Sequence, residues 1–398
     1  MDVRVTAVNH KIEMEEMIMS DTRIDLLYLS EPDMIAAGVN DVVACTECME
    51  ELLITLDKGD YLMGGENGNS HGTMITFPDN PPFPNMPKSG PDRRFMAMPA
   101  YVGGETAMAG MKWYGSNVEN REKGLPRSIL MVMLNDKDTG APLSLMSANL
   151  LSAYRTSGIP GAGVKNLAVK DAKVLGIVGP GVINITAIET FAALRPTLDT
   201  LKIKGRGKES IDRCIAFVKE HLPQFTTIEV VETLEECVRD SDIMSFATST
   251  SMGMDRSQYP FVKEEWIKPG CLFCVPGSCD FSDEYVCSGK AKLVCDNIKL
   301  YEAWAEEYPY PTYNQIYIPG CLWLDLVHDG KLEKEKIINL GAILSGKMEG
   351  RKSDDEVIIY SVGGMPVEDV AWGKKCYEKA LELGIGTKLN LWDHPYLF

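Results

Sequence analysis

Short apolar runs alternate with longer amphipathic stretches in the middle of the chain, between residues 169 and 344. The runs predict β-strands, and the stretches between them, where apolar positions recur every three or four residues, predict helices. This alternation is typical of an α/β protein with a parallel, doubly wound sheet. We expect the strands at residues 173–178, 200–204, 227–231, 242–247 and 271–275.

The pattern on both sides of this region is less regular. It predicts an amphipathic helix at residues 42–56, a partly helical segment at 149–166, and a long loop at 61–91, which is rich in Gly, Asn and Pro. Strands are predicted at residues 24–29, 96–101, 108–113, 128–135 and 144–146. After residue 344 the pattern again resembles that of the first part of the chain. It predicts a strand at 356–362 and a helix at 367–383. The sequence therefore predicts a discontinuous α+β domain from residues 1–168 and 345–398, with the α/β domain at 169–344 inserted.

The segment Gly179-Pro180-Gly181 follows the first predicted strand of the inserted domain and precedes a helical pattern that begins at Val182. Glycines at such a turn let the main chain approach a pyrophosphate, and the helix N-terminus that follows favours negative charge. The third glycine of the usual fingerprint is absent, because Asn184 stands in its place. The segment predicts a Rossmann-type dinucleotide-binding domain.

Arg206 and Lys208 follow the second predicted strand, about 25 residues beyond the glycine loop. In a Rossmann-type domain the end of this strand faces the adenosine ribose, where an acid accepts from the 2′-hydroxyl and an arginine suits a 2′-phosphate. The strand end carries no acid, so the sequence predicts NADP(H) as the preferred cofactor, with NAD(H) possible. The alternative is that both residues are ordinary solvated turn residues.

Composition narrows the choice of partners. The 398-residue chain has a formal net charge of −17, which disfavours binding to nucleic acid or to an anionic membrane. The N-terminus has no apolar signal core and no run is long enough to span a membrane, so a cytoplasmic location is expected. The 11 cysteines are expected as free and mostly buried thiols. No metal site is expected, because Cys45–Cys48 lies in a helical pattern and Cys271–Cys274 in a strand-like run.

Two cations stand in apolar surroundings. Lys112 lies in the strand-like run Ala-Gly-Met-Lys-Trp-Tyr, and Arg155 lies among small residues of a helical segment. A charge in such a place is costly unless it is paired. The two cations therefore either hold a substrate carboxylate or pair with acids of the protein itself.

Ser278 and Asp280 follow the last predicted strand of the inserted domain, at the edge of the sheet where ligands bind in such folds. Either residue is a candidate catalytic group beside a nicotinamide, and a plain turn with a helix cap is the alternative. His71, in the long loop, is the single histidine that we consider functional. Glu368-Asp369 open the last predicted helix and complement its dipole.

Taken in order, several motifs resemble the ornithine cyclodeaminase/mu-crystallin family from residue 25 to the C-terminus. The motifs are Met98-Pro-Ala-Tyr101, Lys112-Trp113, Asp138-Thr-Gly140, Arg155-Thr156, Gly179-Pro-Gly181, Gly346–Asp354, Ser361–Asp369 and Gly384–Trp392. The resemblance implies a homodimer in which a substrate-binding and dimerisation domain accompanies a Rossmann domain. It also implies that Lys112 and Arg155 contact a substrate carboxylate and that residues 363–369 lie near the nicotinamide.

The cofactor-binding residues expected from the loop and the resemblance form one set. They are Thr156, Gly179, Pro180, Gly181, Val182, Arg206, Lys208, Thr248, Gly277, Ser278 and Gly363.

The chain departs from the cyclodeaminases of this family at three places. Ser278 stands where they carry a catalytic aspartate, although Asp280 is close. Arg206 stands where they keep an acid. A second basic residue that binds substrate in the cyclodeaminases falls in the long loop, where His71, Arg93 or Arg94 is the candidate replacement.

The sequence therefore predicts an NADP(H)-dependent oxidoreductase acting on a C–N bond of a small amino acid, 2-oxo acid or imine, as an imine reductase or an amino-acid or opine-type dehydrogenase. Lys112, Ser278 and Asp280 are the expected catalytic residues, and Lys112, Arg155, Arg94 and His71 the expected substrate-binding residues. The alternatives are an ammonia-releasing ornithine cyclodeaminase with recycled cofactor and a non-catalytic, crystallin-like ligand-binding protein.

Overall fold

The computed structural model describes residues 22–248 and 255–397. These residues form two eight-stranded sheets with helices between and around them. The strands are β1 (Ile24–Leu29), β2 (Tyr61–Met63), β3 (Thr73–Thr76), β4 (Arg94–Val102), β5 (Met108–Ser116), β6 (Ser128–Asn135), β7 (Pro142–Ser147), β8 (Val174–Val178), β9 (Thr200–Lys204), β10 (Thr227–Val230), β11 (Ile243–Phe246), β12 (Leu272–Val275), β13 (Ala291–Cys295), β14 (Ile337–Asn339), β15 (Val357–Ser361) and β16 (Thr387–Trp392).

The α-helices of the same residues cover both parts of the chain. They are α1 (Glu31–Ala36), α2 (Val42–Lys58), α3 (Asn149–Leu167), α4 (Val182–Leu194), α5 (Lys208–His221), α6 (Leu234–Val238), α7 (Asp283–Cys287), α8 (Ile298–Glu307), α9 (Pro319–His328), α10 (Leu340–Leu344) and α11 (Pro366–Leu383). None of them combines the length and the hydropathy that a membrane span requires.

The second sheet has the order β10-β9-β8-β11-β12-β15-β13-β14, and all of its strands are parallel. The first five strands of this order give the Rossmann arrangement, in which the order of successive strands across the sheet reverses between β8 and β11. This confirms the predicted α/β fold with a doubly wound parallel sheet. Ligands of such sheets bind at the carboxyl ends of the strands beside this reversal.

Strand β15 lies inside the parallel sheet, between β12 and β13. The sequence predicted a strand here but placed residues 345–398 together in the discontinuous domain. All five residues of β15 are buried, as expected for a parallel strand that is covered on both faces. The chain therefore leaves the parallel sheet only after β15, and the expected boundary at residue 345 is replaced by one near residue 362.

The first sheet has the order β16-β1-β7-β6-β5-β4-β2, and β3 also pairs with β4. Its pairs are antiparallel except for β1 with β7. The segment 61–91, predicted as one long loop, thus contributes two short strands to this sheet. In β4 buried residues alternate with more exposed ones, so one face of the sheet points to the core and the other outward.

Two helices join the sheets. Helix α11 packs on β4, β5 and β6 of the first sheet and on α3, while α3 also contacts β12 and β15 of the second sheet. Helix α3 runs without interruption through Pro160, although the sequence predicted only a partly helical segment. The side chains on β5, α3 and the start of α11 therefore meet at the junction of the two sheets.

The outer face of the first sheet carries a continuous apolar surface, which we call the outer-face patch. Its residues are Ile75, Phe95, Trp113, Ile129 and Met131, which the strand register places side by side on β3 to β6. Phe95, Ile129 and Met131 are 41%, 50% and 43% exposed, and the rings of Phe95 and Trp113 stack with centroids 5.9 Å apart. A large exposed apolar surface on one face of a sheet marks an interaction surface.

Candidate active site

Two buried cations and two buried carboxylates meet where β5, α3 and α11 converge. Lys112 Nζ donates to Asp369 Oδ2 at 2.7 Å, and Arg155 Nε donates to Asp369 Oδ1 at 3.0 Å. Arg155 also pairs with Glu368 through Nη1. We call these four residues the ion-pair cluster. The structure thus brings together Lys112 and Arg155, as the sequence predicted for a shared site, and shows that both pair with acids of the protein.

Local structure fixes the acids of the cluster. Pro366 opens α11, and Glu368 closes a capping box by accepting a hydrogen bond from the Met365 backbone N–H at 2.9 Å. This places Glu368 and Asp369 in the first helical turn, where the helix dipole stabilises negative charge. Both side chains are fully buried, and the cations of the cluster lie against them and offset the cost of burying their charge.

Burial and neighbouring charge shift the pKa values in the cluster toward neutrality. Burial, together with the nearby Arg155 guanidinium, lowers the pKa of Lys112 to about 8. Burial raises the pKa of Glu368 to about 7, against the opposing effect of Arg155. Near neutral pH the cluster can therefore accept or release a proton at two atoms without large cost.

Arg155 keeps one end of its guanidinium free for a ligand. Its Nε and Nη1 donate to the cluster acids, and among the described residues Nη2 has no hydrogen-bond partner. A Cβ atom on Gly364 would lie 3.2 Å from Nη1, so the glycine turn after β15 comes directly against this side chain. Gly364 has φ +71°, which also favours glycine there.

A buried acid, Asp296, holds the glycine turn at residues 363–364 in place. Asp296, at the end of β13, accepts hydrogen bonds from the N–H groups of Gly363 at 2.7 Å and Gly364 at 3.3 Å. The Tyr301 hydroxyl donates to the same carboxylate at 2.8 Å. The position of Gly363, an expected cofactor residue, therefore depends on Asp296, which sequence reasoning did not single out.

His71 lies within electrostatic reach of Arg94 and of the cluster cations. Lys112, Arg155 and Arg94 all act electrostatically on His71, and burial together with these three cations lowers the pKa of the imidazole to about 3. His71 is therefore neutral at physiological pH. Its ring lies 5.6 Å from that of Trp304 on α8, so the loop between β2 and β3 reaches across to the parallel-sheet domain.

The glycine loop fits a dinucleotide pyrophosphate. Gly179 has φ +91°, and a Cβ atom there would lie 2.6 Å from the Ala247 carbonyl oxygen, so a larger residue cannot be accommodated. A Cβ on Gly181 would meet nothing within 4 Å, which leaves open space before α4. Gly181 caps α4 without a side-chain hydrogen bond and Val182 is 66% exposed, so the first N–H groups of the helix remain available to a phosphate.

Asn184 replaces the missing third glycine with a structural role. Its amide donates to the carbonyls of Val178 at 3.0 Å and Gly179 at 2.8 Å, and its own oxygen accepts from Ser245 at 2.7 Å. The side chain thus ties the loop to both flanking strands. This explains how the loop between β8 and α4 is held in place without the full glycine fingerprint.

Arg206 lies where the sequence placed it, directly beyond β9 and before α5. It is exposed and has no ion pair among the described residues, whereas Lys208 pairs with Asp212 one turn along the helix. Gly207 caps α5 without a side-chain hydrogen bond. A free guanidinium beside an uncapped helix N-terminus suits a phosphate group.

Other expected cofactor residues lie at the carboxyl edge of the parallel sheet. The hydroxyls of Thr248, after β11, and Ser278, after β12, are 2.6 Å apart, and Gly277 comes against the backbone of β11. Thr156 lies next to Arg155 on α3 and donates to the Ser152 carbonyl at 2.6 Å.

Asp280 is not part of the ion-pair cluster but pairs with Arg256. Both of its oxygens accept from Arg256, at 2.8 and 2.9 Å, and Arg256 also donates to Asp283. Burial raises the pKa of Asp280, against the effect of Arg256. The carboxylate is thus occupied by a bidentate ion pair that sequence reasoning missed.

The cysteines are free, and all except the partly buried Cys287 are buried, in agreement with the prediction of free and mostly buried thiols. The residues that the structure describes contain no group of three or more His, Cys, Asp or Glu side chains placed to hold a metal ion.

The two sheets and the glycine loop together define a Rossmann-type dinucleotide-binding fold with a second, mostly antiparallel sheet. Residues 38–384 match the model of the ornithine cyclodeaminase/mu-crystallin family. The chain belongs to this family, as its ordered motifs predicted.

Similar proteins include oxidoreductases. The N-((2S)-2-amino-2-carboxyethyl)-L-glutamate dehydrogenase of Staphylococcus aureus is 27% identical over 372 residues, which cover 92% of this chain and 99% of that protein. The Δ1-pyrroline-2-carboxylate reductase of Thermococcus litoralis, solved with NADH and L-proline, is 25% identical with a TM-score of 0.70, covering 91% of this chain and 99% of that one. An archaeal alanine dehydrogenase dimer with bound NAD has a TM-score of 0.71 at 23% identity, covering 93% of this chain and 100% of that chain.

Proposed function

We propose that this nicotinamide-dependent oxidoreductase uses NADP(H) to interconvert an imine and the corresponding amine of a small carboxylate substrate. The ion-pair cluster beside the glycine turn carries the proposal, because it holds two cationic donors at the expected nicotinamide edge of the parallel sheet. Family membership supports the same reaction class, since the relatives include a pyrroline-2-carboxylate reductase and an amino-acid dehydrogenase.

Lys112 and Arg155 are the proposed carboxylate-binding residues. The free Nη2 of Arg155 and the remaining protons of the Lys112 ammonium can donate to the substrate while Asp369 holds both cations in place. Asp369 and Glu368 thus act as positioning residues. When bound, the reduced nicotinamide supplies the hydride that adds to the imine carbon, and one proton on nitrogen completes the amine.

Lys112 is the proposed source of that proton. Its pKa near 8 makes its ammonium a stronger acid than an ordinary lysine, and the same group can take the proton back when the amine is oxidised. Ser278 and Thr248, hydrogen-bonded to each other, provide hydroxyls near the proposed nicotinamide position.

The ornithine cyclodeaminase alternative needs a carboxylate to assist the attack of water. Ser278 offers only a hydroxyl, and a hydroxyl is a poor base near neutral pH without an activating partner. Asp280 is bound by Arg256. The arrangement therefore favours net oxidoreduction over deamination.

The reaction class is tested by following NADPH absorbance with a panel of 2-oxo acids and amines. We expect stoichiometric oxidation of NADPH with at least one pair. In parallel, L-ornithine with catalytic NAD(P) should yield neither proline nor ammonia. Rapid formation of both without net NADPH change would establish the cyclodeaminase instead. Cofactor binding without turnover on the whole panel would indicate a ligand-binding protein.

The outer-face patch supports a homodimer formed through the first sheet. Burying five neighbouring apolar residues between two copies would remove them from water, at about 25 cal/mol for each Å² of apolar surface. The archaeal alanine dehydrogenase of similar fold is itself a dimer.

Met131→Glu, which puts a charge in the middle of this patch, is expected to convert the dimer to a monomer in sedimentation velocity. Val230→Glu is the matched control, because Val230 is similarly exposed, at 47%, but lies on β10 of the other sheet. If Met131→Glu leaves the mass at that of a dimer, the interface lies elsewhere.

A further inference from the structure

Arg94 is a cation on the same core-facing side of the first sheet as Lys112. It lies at the start of β4 with its side chain 28% exposed, and it pairs with Asp92 through Nη1. Its Nε is buried and has no hydrogen-bond partner. Buried donors are almost always hydrogen-bonded, so this N–H is available to an acceptor group of a ligand.

Arg94 and Lys112 share one buried tyrosine. The Arg94 guanidinium carbon lies 5.8 Å from the centre of the Tyr114 ring, and Lys112 Nζ lies 5.9 Å from the same centre. Register agrees, because Arg94 pairs with Ser116 and Met98 with Lys112 on neighbouring strands. The two cations therefore lie on one face of the sheet, two same-face positions apart, with Tyr114 at the position between them.

The positive charges near His71 favour an anionic ligand. His71, which feels the charge of Arg94, Lys112 and Arg155, is neutral and so adds no charge of its own. A ligand with one carboxylate would engage Lys112 and Arg155 and leave Arg94 Nε unsatisfied. A ligand with a second acidic group would satisfy it through a charge-assisted hydrogen bond.

We propose that Arg94 binds a second acidic group of the substrate, so that the site takes imines or amines of dicarboxylic rather than monocarboxylic 2-oxo acids. This inference rests on the proposed oxidoreductase function and names its substrate class. Arg94 is then a specificity-determining residue, and Tyr114 sets the spacing between the two acidic groups.

The experiment compares 2-oxoglutarate with 2-oxopentanoate, which has the same chain length and one carboxylate. Both are assayed with NADPH and the same amine. We expect kcat/KM of the native protein to be about 10- to 100-fold higher for the diacid, and Arg94→Gln to lower that ratio at least about 10-fold, mainly through KM. Arg94→Lys, which keeps the charge but loses the planar donor set, should give an intermediate ratio.

Arg127→Gln is the matched control. Arg127 Nε lies 3.2 Å from the same Asp92 carboxylate but its side chain is 41% exposed, so the variant should keep the native ratio. Equal turnover of both acids by the native protein, or a ratio that Arg94→Gln leaves unchanged, would overturn the inference while the oxidoreductase function stands. Absence of NADPH oxidation with every acid and amine would instead overturn the oxidoreductase function together with the inference.

Discussion

Asp369→Asn is expected to lower the free energy of unfolding by about 3–5 kcal/mol, because breaking a buried ion pair leaves an uncompensated charge. Asp369 is fully buried and is hydrogen-bonded to both Lys112 and Arg155. The amide keeps the size of the carboxylate but cannot neutralise two buried cations. Urea denaturation followed by far-UV circular dichroism measures the change, and NADPH turnover should fall with it.

Two further variants serve as comparisons for Asp369→Asn. Glu368→Gln should cost clearly less, because the pKa of Glu368 is already raised to about 7 and its carboxyl is partly protonated at neutral pH. Asp283→Asn removes a partner of Arg256 that is 35% exposed, and should cost at most about 1 kcal/mol. Similar losses for Asp369→Asn and Asp283→Asn would mean that the ion-pair cluster is not a main source of stability.

The sequence predicted the strands of the parallel sheet because each is a short apolar run between helical patterns. The sequence prediction assigned β15 to the discontinuous domain, although the residues of this strand indicate the parallel sheet. The run Val357-Ile-Ile-Tyr has no polar residue between apolar ones, which is typical of a strand covered on both faces. Strand β4 instead alternates, as a strand with one exposed face does. Periodicity, rather than position in the chain, identifies the sheet to which a strand belongs.

Only the two cations of the ion-pair cluster could be predicted from the sequence. Lys112 and Arg155 were visible as cations in apolar surroundings, but their partner Asp369 lies 257 and 214 residues away in the sequence. Spacing along one sequence cannot pair residues over such distances. The requirement that a buried cation be neutralised predicts that some acid must exist, and Glu368-Asp369 at the start of an amphipathic helix was the available signal.

The same limit applies to Asp280. Its position after β12 suggested a catalytic carboxylate, and only the fold shows that Arg256, 24 residues earlier, binds both of its oxygens. By contrast, the glycine loop was predictable because its glycines and the helix that follows are adjacent in the sequence. At Asn184 the side-chain amide makes local contacts with the carbonyls of Val178 and Gly179, whereas the bond from Ser245 comes from a distant strand.

Arg206→Asp is expected to reverse the cofactor preference, lowering the NADPH-to-NADH affinity ratio by about 100-fold or more. A hydrogen bond to a charged group contributes about 1.5–3 kcal/mol, and an aspartate would in addition repel the 2′-phosphate. Arg206 is suited to this role because it is exposed, follows β9 directly, and has no ion pair among the residues that the structure describes. An acid at this position accepts instead from the ribose hydroxyls of NADH.

Fluorescence titration of the two reduced cofactors measures the ratio, and the native protein should bind NADPH more tightly, with a preference that weakens as salt is raised. Arg213→Asp is the matched control, since it makes the same change of charge on helix α5 at a residue that pairs with Glu209. If Arg206 contacts the 2′-phosphate directly, the affinity ratio should change strongly only in Arg206→Asp. A long-range effect of charge would instead change the ratio in both variants alike. Equal affinity of the native protein for the two cofactors would show that the 2′-phosphate is not recognised at the end of β9.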